Sequence, residues 1–483
     1  MSDDRTARRR PARRPASGAA RRAPHVSHAR RAAYEVVRRT FEDGAWTDRA
    51  FRATATRHRL EPRERAHAQR LAYGAVQMRR TIDHLLSGLA DRAPESMDAP
   101  LLAALRLGAY ELLFSEAAEY AAVGEAVELA KPAGRGAAGL ANAVLRRLAT
   151  DRSRLLGGLS DDSPETAAIR HSYPEWIART WWEELGADVA RALMAAGNEP
   201  PERAFRVNRG RTSIGDVLGR FGSGAHRAEE AASPSPRPRG IVVADGPIGA
   251  DGAEMVERGE VTPQSRASAF VVELLDPRPG DRVLDLCAGP GIKTTQIAQA
   301  VAGTADEVGS PAGVVDAVEV DPARAREIRE LSALVGVSGV RLHVADAAES
   351  RPSSGYDRVL VDPPCSGLGT LAQRPDARWR RSQGDRITLA SVQRRILRRA
   401  MGAVGPGGLL AYSTCTISRA EGEDVVSEVL TEADGAEFRV VDLGREHRDL
   451  ASTHDARFLQ TRPDRDGTSG FFIALLRRVA SGE

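Results

Sequence analysis

Two of the chain's three cysteines fall where α/β proteins do their chemistry. Cys365 lies in Asp-Pro-Pro-Cys-Ser-Gly (362–367) and Cys415 in Tyr-Ser-Thr-Cys-Thr (412–416). Each follows an apolar run that reads as a buried parallel strand. Open α/β sheets hold ligands beyond the carboxyl ends of such strands, so both thiols are expected over one cleft. A thiolate is a potent nucleophile near neutral pH, and two candidate thiols over one cleft point to covalent catalysis. The third thiol, Cys287, sits in Asp-Leu-Cys-Ala-Gly-Pro-Gly (285–291), a glycine loop after an earlier strand.

That loop continues through Ile292, Lys293 and Thr294 into a helix. Its glycines let the backbone approach a ligand closely, but the third glycine of a dinucleotide fingerprint is missing, which disfavours a nicotinamide cofactor. Glu319 ends the second strand, where it can accept hydrogen bonds from both hydroxyls of a ribose. Asp346 ends the third, within reach of an adenine amine. A glycine loop with these two acids suits S-adenosylmethionine; tight turns with capping acids are the bland alternative. Asp362-Pro-Pro-Cys365 ends the fourth strand. Its prolines stiffen the backbone and lack N–H donors, which predicts that carbonyls and the Asp362 carboxylate face a base. Amino-methylating enzymes usually carry an aromatic residue where Cys365 stands. A thiol there suits carbon 5 of a pyrimidine, which becomes nucleophilic only once carbon 6 has been attacked.

The elements that must position these groups begin at about residue 262, where strands and helices alternate. Strands are expected over 282–287, 314–320, 341–344, 359–361, 409–412 and 471–476, with helices over 293–301, 323–335 and 386–404. Such alternation predicts a doubly wound α/β domain, here over 246–478. Residues 27–150 read instead as an all-helical bundle, with apolar positions at helical spacing through Ala32, Val36, Val37 and Phe41, and again from Leu101 to Leu113. A smaller unit over 165–245 opens with His171-Ser-Tyr-Pro-Glu-Trp176. Its Trp181 and Trp182 are expected in the core, and a Pro/Ser/Arg-rich stretch at 232–240 reads as a loop.

With 42% apolar and 28% charged residues the composition is that of a soluble globular protein. No stretch approaches the roughly 20 apolar residues of a membrane span. No apolar run near the start predicts a secretory signal, and the few cysteines suit a reducing, cytoplasmic setting. Residues 1–26 are predicted to be a disordered tail, since 1–22 hold eight arginines against two aspartates. Such a tail is either a handle for nucleic acid or an inert solvated extension. Arg70, Arg79, Arg80, Arg146 and Arg147 could continue a basic face or simply decorate helices. Lys131 and Lys293 are the only lysines. Lys293 therefore stands out in the glycine loop, where an ammonium and a guanidinium are not interchangeable.

On these motifs the chain resembles the RsmB (Sun/Fmu) family of 16S rRNA cytosine carbon-5 methyltransferases over nearly everything after residue 27. The resemblance is carried by DLCAGPGIKT, VDPPCSGLGTLAQRPDARWR, YSTCT and DGTSGFFIALLRR. Residues 27–150 resemble the family's NusB-like RNA-binding domain in LRLGAYELLF and NAVLRRL. The middle segment resembles its linker domain in SYPEW and FRVNRGRTS. The implied fold is an α/β Rossmann-like S-adenosylmethionine-dependent methyltransferase domain preceded by an all-α NusB-like domain and a small linker domain.

What the resemblance implies for mechanism is a two-cysteine scheme. Cys415 would attack carbon 6 of the target cytosine, Cys365 would assist product release, Asp362 would hold the base edge, and Lys293 would sit in the same cleft and help Cys415 ionise. S-adenosyl-L-methionine would contact Cys287, Ala288, Gly289, Pro290, Gly291, Ile292, Lys293, Glu319, Arg324, Asp346 and Asp362. The implied partner is 16S rRNA before or early in subunit assembly, bound by a monomer with no metal and no membrane. Three positions depart from the family pattern: Ile292 for the second glycine of Gly-Gly-Lys, Ser265 for the aspartate after Gln264, and Gly422 for the asparagine of Glu-Asn-Glu. Two other readings stay open. One is DNA cytosine methylation through Cys365. The other is an RNA-binding ribosome-assembly or antitermination factor with a decayed core.

Overall fold

The computed structural model describes residues 26–230, 236–302 and 312–480. The expected N-terminal tail, but for its last residue, and part of the 232–240 loop lie outside the described residues. Helices His28–Phe41, Thr47–Arg57, Pro62–Gln77, Arg79–Ala90, Ala99–Phe114, Glu119–Ala130 and Ala137–Gly157 form the first unit. Ala99–Phe114 is buried on nearly every side, as its almost uninterrupted apolar sequence requires. The bundle is tight: a Cβ on Gly74 would lie 1.9 Å from the Tyr110 ring. Arg30 crosses its core to pair with Glu111 and Glu125, each at 2.7 Å.

The middle unit starts with helices Pro164–Arg170, Glu175–Leu185 and Ala187–Ala196, packed around Tyr173, Ile177 and the buried Trp181. Strands β1 (Ala204–Val207), β2 (Ala225–Arg227), β3 (Ile241–Ala244) and β4 (Val261–Pro263) follow as an antiparallel sheet in the order β2-β3-β1-β4. Because β4 pairs with β1, this sheet runs past residue 245.

The remaining strands are β5 (Arg282–Asp285), β6 (Val314–Glu319), β7 (Val340–Val344), β8 (Tyr356–Val361), β9 (Val404–Thr414), β10 (Phe438–Val440), β11 (Leu459–Gln460) and β12 (Phe472–Arg478). They form a mixed sheet in the order β10-β12-β9-β8-β5-β6-β7, with β11 pairing β12. Strands β5 to β9 pair in parallel and β12 runs antiparallel to β9. From β5 the chain winds outward to β6 and β7, then returns to lay β8 on the other side. The topological switch point, where α/β folds place their ligands, thus lies between β5 and β8. Among the described residues no helix is long and apolar enough to cross a membrane.

One short segment of the α/β domain ties all three units together. Arg378 is fully buried and donates to Ser172 O, Gly197 O and Asn198 Oδ1 of the middle unit, with its guanidinium 4.0 Å from the Tyr173 ring centroid. Trp379 Nε1 donates to Val76 O of the helical unit at 2.7 Å. Arg380 donates to Gly44 O and Ala45 O, and Asp376 accepts from Thr47 N. Two arginines expected on an outer basic face are drawn into this junction. Arg79 lies over the rings of Phe41 and Trp379, and Arg80 donates to Tyr173 O and pairs with Glu175. Arg70 and Arg146 are exposed; Arg147, also exposed, donates to Leu89 O.

Candidate active site

Parallel pairing of β8 with β9 sets the site. Val361 faces Tyr412 in register, so the turns that follow these strands emerge side by side. Cys365 lies four residues past Val361 and Cys415 three past Tyr412, and their sulfurs stand 3.2 Å apart as free, half-buried thiols. One thiol donates to the other, and the surroundings decide which. The hydrogen bond from Cys365 holds Cys415 below the usual thiol range, and the positive charges of Lys293 and Arg374 act in the same direction. Cys365 is pushed well up, by that same bond and by burial, with the charges of Glu421 and Asp362 adding to the effect. These shifts favour ionisation of Cys415 over Cys365. Lys293 was expected to supply part of the Cys415 acidity; it does so, and the neighbouring thiol contributes more.

Lys293 Nζ donates to Asp362 Oδ2 at 2.5 Å and sits 4.9 Å from the Phe471 ring centroid. The Asp-Pro-Pro-Cys turn differs in one respect from its expected geometry. Pro364 O is turned inward, accepting from Gln393 Nε2 at 3.0 Å, and so is not free to face a base. Asp362 keeps a partly exposed carboxylate for that purpose.

The glycine loop follows β5. Asp285 is buried; Thr294 Oγ1 donates to its Oδ2 at 2.7 Å, its Oδ1 has no partner, and burial lifts the carboxyl to about 6. Burial also pushes the Cys287 thiol well up, which suits a structural rather than a reactive role. Gly291 has φ of +101°, where a side chain is strained, and caps the helix Ile292–Val301. Gly289 N donates to Glu319 Oε2 at 2.9 Å, and Asp321 N donates to Oε1 at 2.9 Å. A Cβ at 289 would stand 2.2 Å from that same Oε2, so the close approach needs glycine.

The residues fit the implied cofactor. Glu319 is held rigidly at the end of β6 with lone pairs to spare for a diol, and the exposed Asp346 follows β7. Val320 and Val344 are 62% and 55% exposed beside them, apolar surface suited to the face of an adenine. Arg324 is exposed on the next helix, its Cδ 3.0 Å from where a Cβ on Gly289 would stand. Pro290 and Ile292 complete the loop, with Ala288 N donating to Val318 O at 3.0 Å. Among the described residues no group of His, Cys, Asp or Glu is arranged to hold a metal ion.

Two of the three departures from the family pattern have local explanations. Ser265 accepts from Ser268 N and caps the helix Arg266–Leu275, the work an aspartate would do there. A Cβ at Gly422 would stand 2.8 Å from the Phe472 ring, so glycine makes room for that ring. Ile292 is half-buried, and its carbonyl accepts from the buried Arg206 at 2.6 Å.

Sequence reasoning missed Glu421 and Gln393, which brace the two turns from below, and Arg374 and Arg381 at the rim. Arg381 Nη2 donates to Cys365 O at 3.4 Å. The available signal was the position of Glu421 in the Glu-Asn-Glu pattern, but nothing local tied it to Cys365.

Comparisons with known proteins agree with this geometry. Residues 272–477 match the family model described as 16S rRNA methyltransferase RsmB/F, residues 27–150 match the NusB family, and residues 173–244 match the ferredoxin-like domain of RsmF/B-like methyltransferases. Ribosomal RNA small subunit methyltransferase B of Thermus thermophilus is 35% identical over 440 residues, 90% of this chain and 93% of its own. The protein of that name from Pseudomonas putida is 30% identical over 435 residues, 88% of this chain and 92% of its own. The crystal structure of PH0851 superposes with a TM-score of 0.73 at 24% identity, covering 93% of this chain and 98% of that one, a likeness of fold.

Proposed function

The chain belongs to the RsmB/F family of 16S rRNA methyltransferases, and from that premise we propose that it methylates carbon 5 of a cytosine in 16S rRNA through a covalent Cys415–cytosine adduct. The observation that carries this reading is the thiol pair: Cys415 and Cys365 stand 3.2 Å apart, the first kept below the usual thiol range by its hydrogen bond to the second. S-adenosyl-L-methionine, held by the 287–293 loop, Glu319, Arg324, Asp346 and Asp362, would supply an electrophilic methyl group.

Cys415 adds its electron pair to carbon 6, which makes carbon 5 nucleophilic. With its thiolate partner consumed, Cys365 gives its proton to the ring, which neutralises the negative charge that addition placed there; Asp362 stabilises the positive charge the ring carries once carbon 5 is methylated. After carbon 5 has been methylated, the Cys365 thiolate takes the carbon-5 proton. The C5–C6 double bond re-forms, the C6–S bond breaks, and Cys415 leaves as thiolate beside a protonated Cys365. The ring then sheds its extra proton to solvent, and the resting pair is restored. The base must first leave its stack, at a cost of a few kcal/mol, which favours a loop, bulge or junction.

In this reading residues 27–150 hold the RNA, 165–245 connect, and 246–478 carry out the chemistry, in a monomer acting in the cytoplasm on rRNA before or early in assembly. The test incubates the full chain with labelled S-adenosylmethionine and unmodified 16S rRNA. Wild type should label cytosine, Cys415→Ala should form neither adduct nor product, and Cys365→Ala should accumulate a covalent RNA adduct. If Cys365→Ala instead abolishes the adduct while Cys415→Ala keeps it, the thiol of the Pro-Pro-Cys turn is the nucleophile. If wild type binds the RNA and labels nothing, the decayed-core reading takes over.

A further inference from the structure

Beneath the two thiols lies a buried polar brace that the reaction above does not use. Glu421 ends the short turn Arg419–Glu421, and Gln393 projects from the helix Gln383–Ala403; both are 0% exposed. Glu421 Oε1 accepts from Ser366 N at 2.8 Å and from Gln393 Nε2 at 3.1 Å. The same Gln393 Nε2 donates to Pro364 O at 3.0 Å. The residues on either side of Cys365 are thus both held by this pair, Ser366 by Glu421 and Pro364 by Gln393. The brace reaches the second turn as well. Ser366 Oγ and Thr416 Oγ1 are 2.9 Å apart, and Tyr412 Oη donates to Glu421 O at 2.8 Å. Ser366, next to Cys365, is bonded to Glu421 directly, and Thr416, next to Cys415, is reached through Ser366.

Burying a carboxylate among so few donors is expensive. Glu421 Oε2 and Gln393 Oε1 have no hydrogen-bond partner, and burial raises the Glu421 carboxyl above its ordinary range. Position explains it. The carboxylate lies on the Cys365 side of the pair, bonded to the backbone N–H of the residue that follows Cys365.

We propose that Glu421, with Gln393, is a positioning residue that holds Cys365 with its proton aimed at Cys415, and so decides which of the two thiols attacks. The inference rests on the two-cysteine reading. Neither side chain touches the base; each acts through the turn that carries Cys365.

The experiment uses the full chain, unmodified 16S rRNA and S-adenosylmethionine, with variants Glu421→Ala, Glu421→Gln and Gln393→Met. Adduct formation and adduct release are followed separately on denaturing gels. Iodoacetamide labelling of Cys365 and Cys415 is mapped on the same proteins without RNA. Glu421→Ala should slow release by about 10- to 100-fold, the scale of an ångström of misplacement, while adduct still forms. It should also erase the preferential labelling of Cys415. Gln393→Met should shift both readouts in the same direction. Glu421→Gln keeps the acceptor facing Ser366 and Gln393, and should rescue both. A fall in formation and release by the same factor, with labelling still confined to Cys415, would overturn the proposal. So would a Glu421→Gln variant as defective as Glu421→Ala. Cys365→Ala run in parallel separates the two ideas: without adduct accumulation there, the two-cysteine reading fails, and the labelling ratio alone decides on the brace.

Discussion

Truncating Arg378 to alanine should loosen the α/β domain from the middle unit. The side chain is wholly buried, and its partners Ser172 O, Asn198 Oδ1 and Gly197 O, at 3.0, 2.9 and 3.1 Å, are neutral oxygens. A hydrogen bond from a charged donor nets about 1.5–3 kcal/mol, so three of them are worth roughly 5–9 kcal/mol. Against this, truncation recovers the cost of burying the guanidinium, several kcal/mol in real proteins. The net loss should be about 3–5 kcal/mol, in line with three buried acceptors left unpaired at about 1–3 kcal/mol each. That corresponds to roughly 10²- to 10⁴-fold in the ratio of docked to undocked chains.

Hydrogen exchange by mass spectrometry reads the change directly. Amides of 172–198 and of the end of the helix Pro62–Gln77, where Trp379 meets Val76 O, should lose protection by about 10²- to 10⁴-fold. Arg52→Ala, at a guanidinium that is 70% exposed, should change nothing measurable. Arg378→Met fills much of the same space without donors, and should keep most of the loss if hydrogen bonds rather than packing carry the effect. Protection in Arg378→Ala within about threefold of wild type would refute the reasoning, because three buried acceptors would then have been left unpaired at almost no cost.

Gly289→Ala should drive a methyl into Glu319 and weaken S-adenosylmethionine binding by about 10-fold or more, measured by titration calorimetry; unchanged affinity would remove Glu319 from the cofactor site. Asp285 is held at about 6, above its ordinary 3.8, so the folded state keeps a proton there that the unfolded chain has lost. Wild type should therefore lose roughly 3 kcal/mol of stability as pH rises from about 4 to about 6, and Asp285→Asn should lack that slope in thermal unfolding. Arg374 is exposed, and its charge is felt at Cys415, so on the proposed function it faces the RNA backbone. Arg374→Ala should weaken RNA binding and lower the slope of log affinity against log salt by about 1, read by filter binding across a salt series.

Much of this protein was open to inspection in its sequence, because the relevant signals are local. The apolar runs before Cys287, Cys365 and Cys415, the glycines at 289 and 291, and the acid closing β6 each follow from a few adjacent residues. The six strands expected from β-branched and aliphatic runs are β5 to β9 and β12, whereas the short β1 to β4, β10 and β11 were not expected, and Trp181 lies in the core as expected. That both thiols share one cleft was also legible, since parallel strands in one sheet end on the same edge.

The departures share one cause: contacts between residues far apart in the chain. Arg79 and Arg80 look like surface arginines on a helix, yet they are drawn into a junction made by residues some three hundred and about ninety positions away. Pro364 O turns inward because Gln393, on a helix beyond the next turn, reaches it. The direction of proton sharing between Cys365 and Cys415 depends on Lys293, Arg374, Asp362 and Glu421, which come from four separate segments. Residue type and near spacing set which groups can ionise, turn or stack. Which of two equivalent thiols holds the proton is a matter of a few ångströms in a low-dielectric site, where each neighbouring charge counts for far more than in water, and those distances exist only once the sheet has brought β8 beside β9.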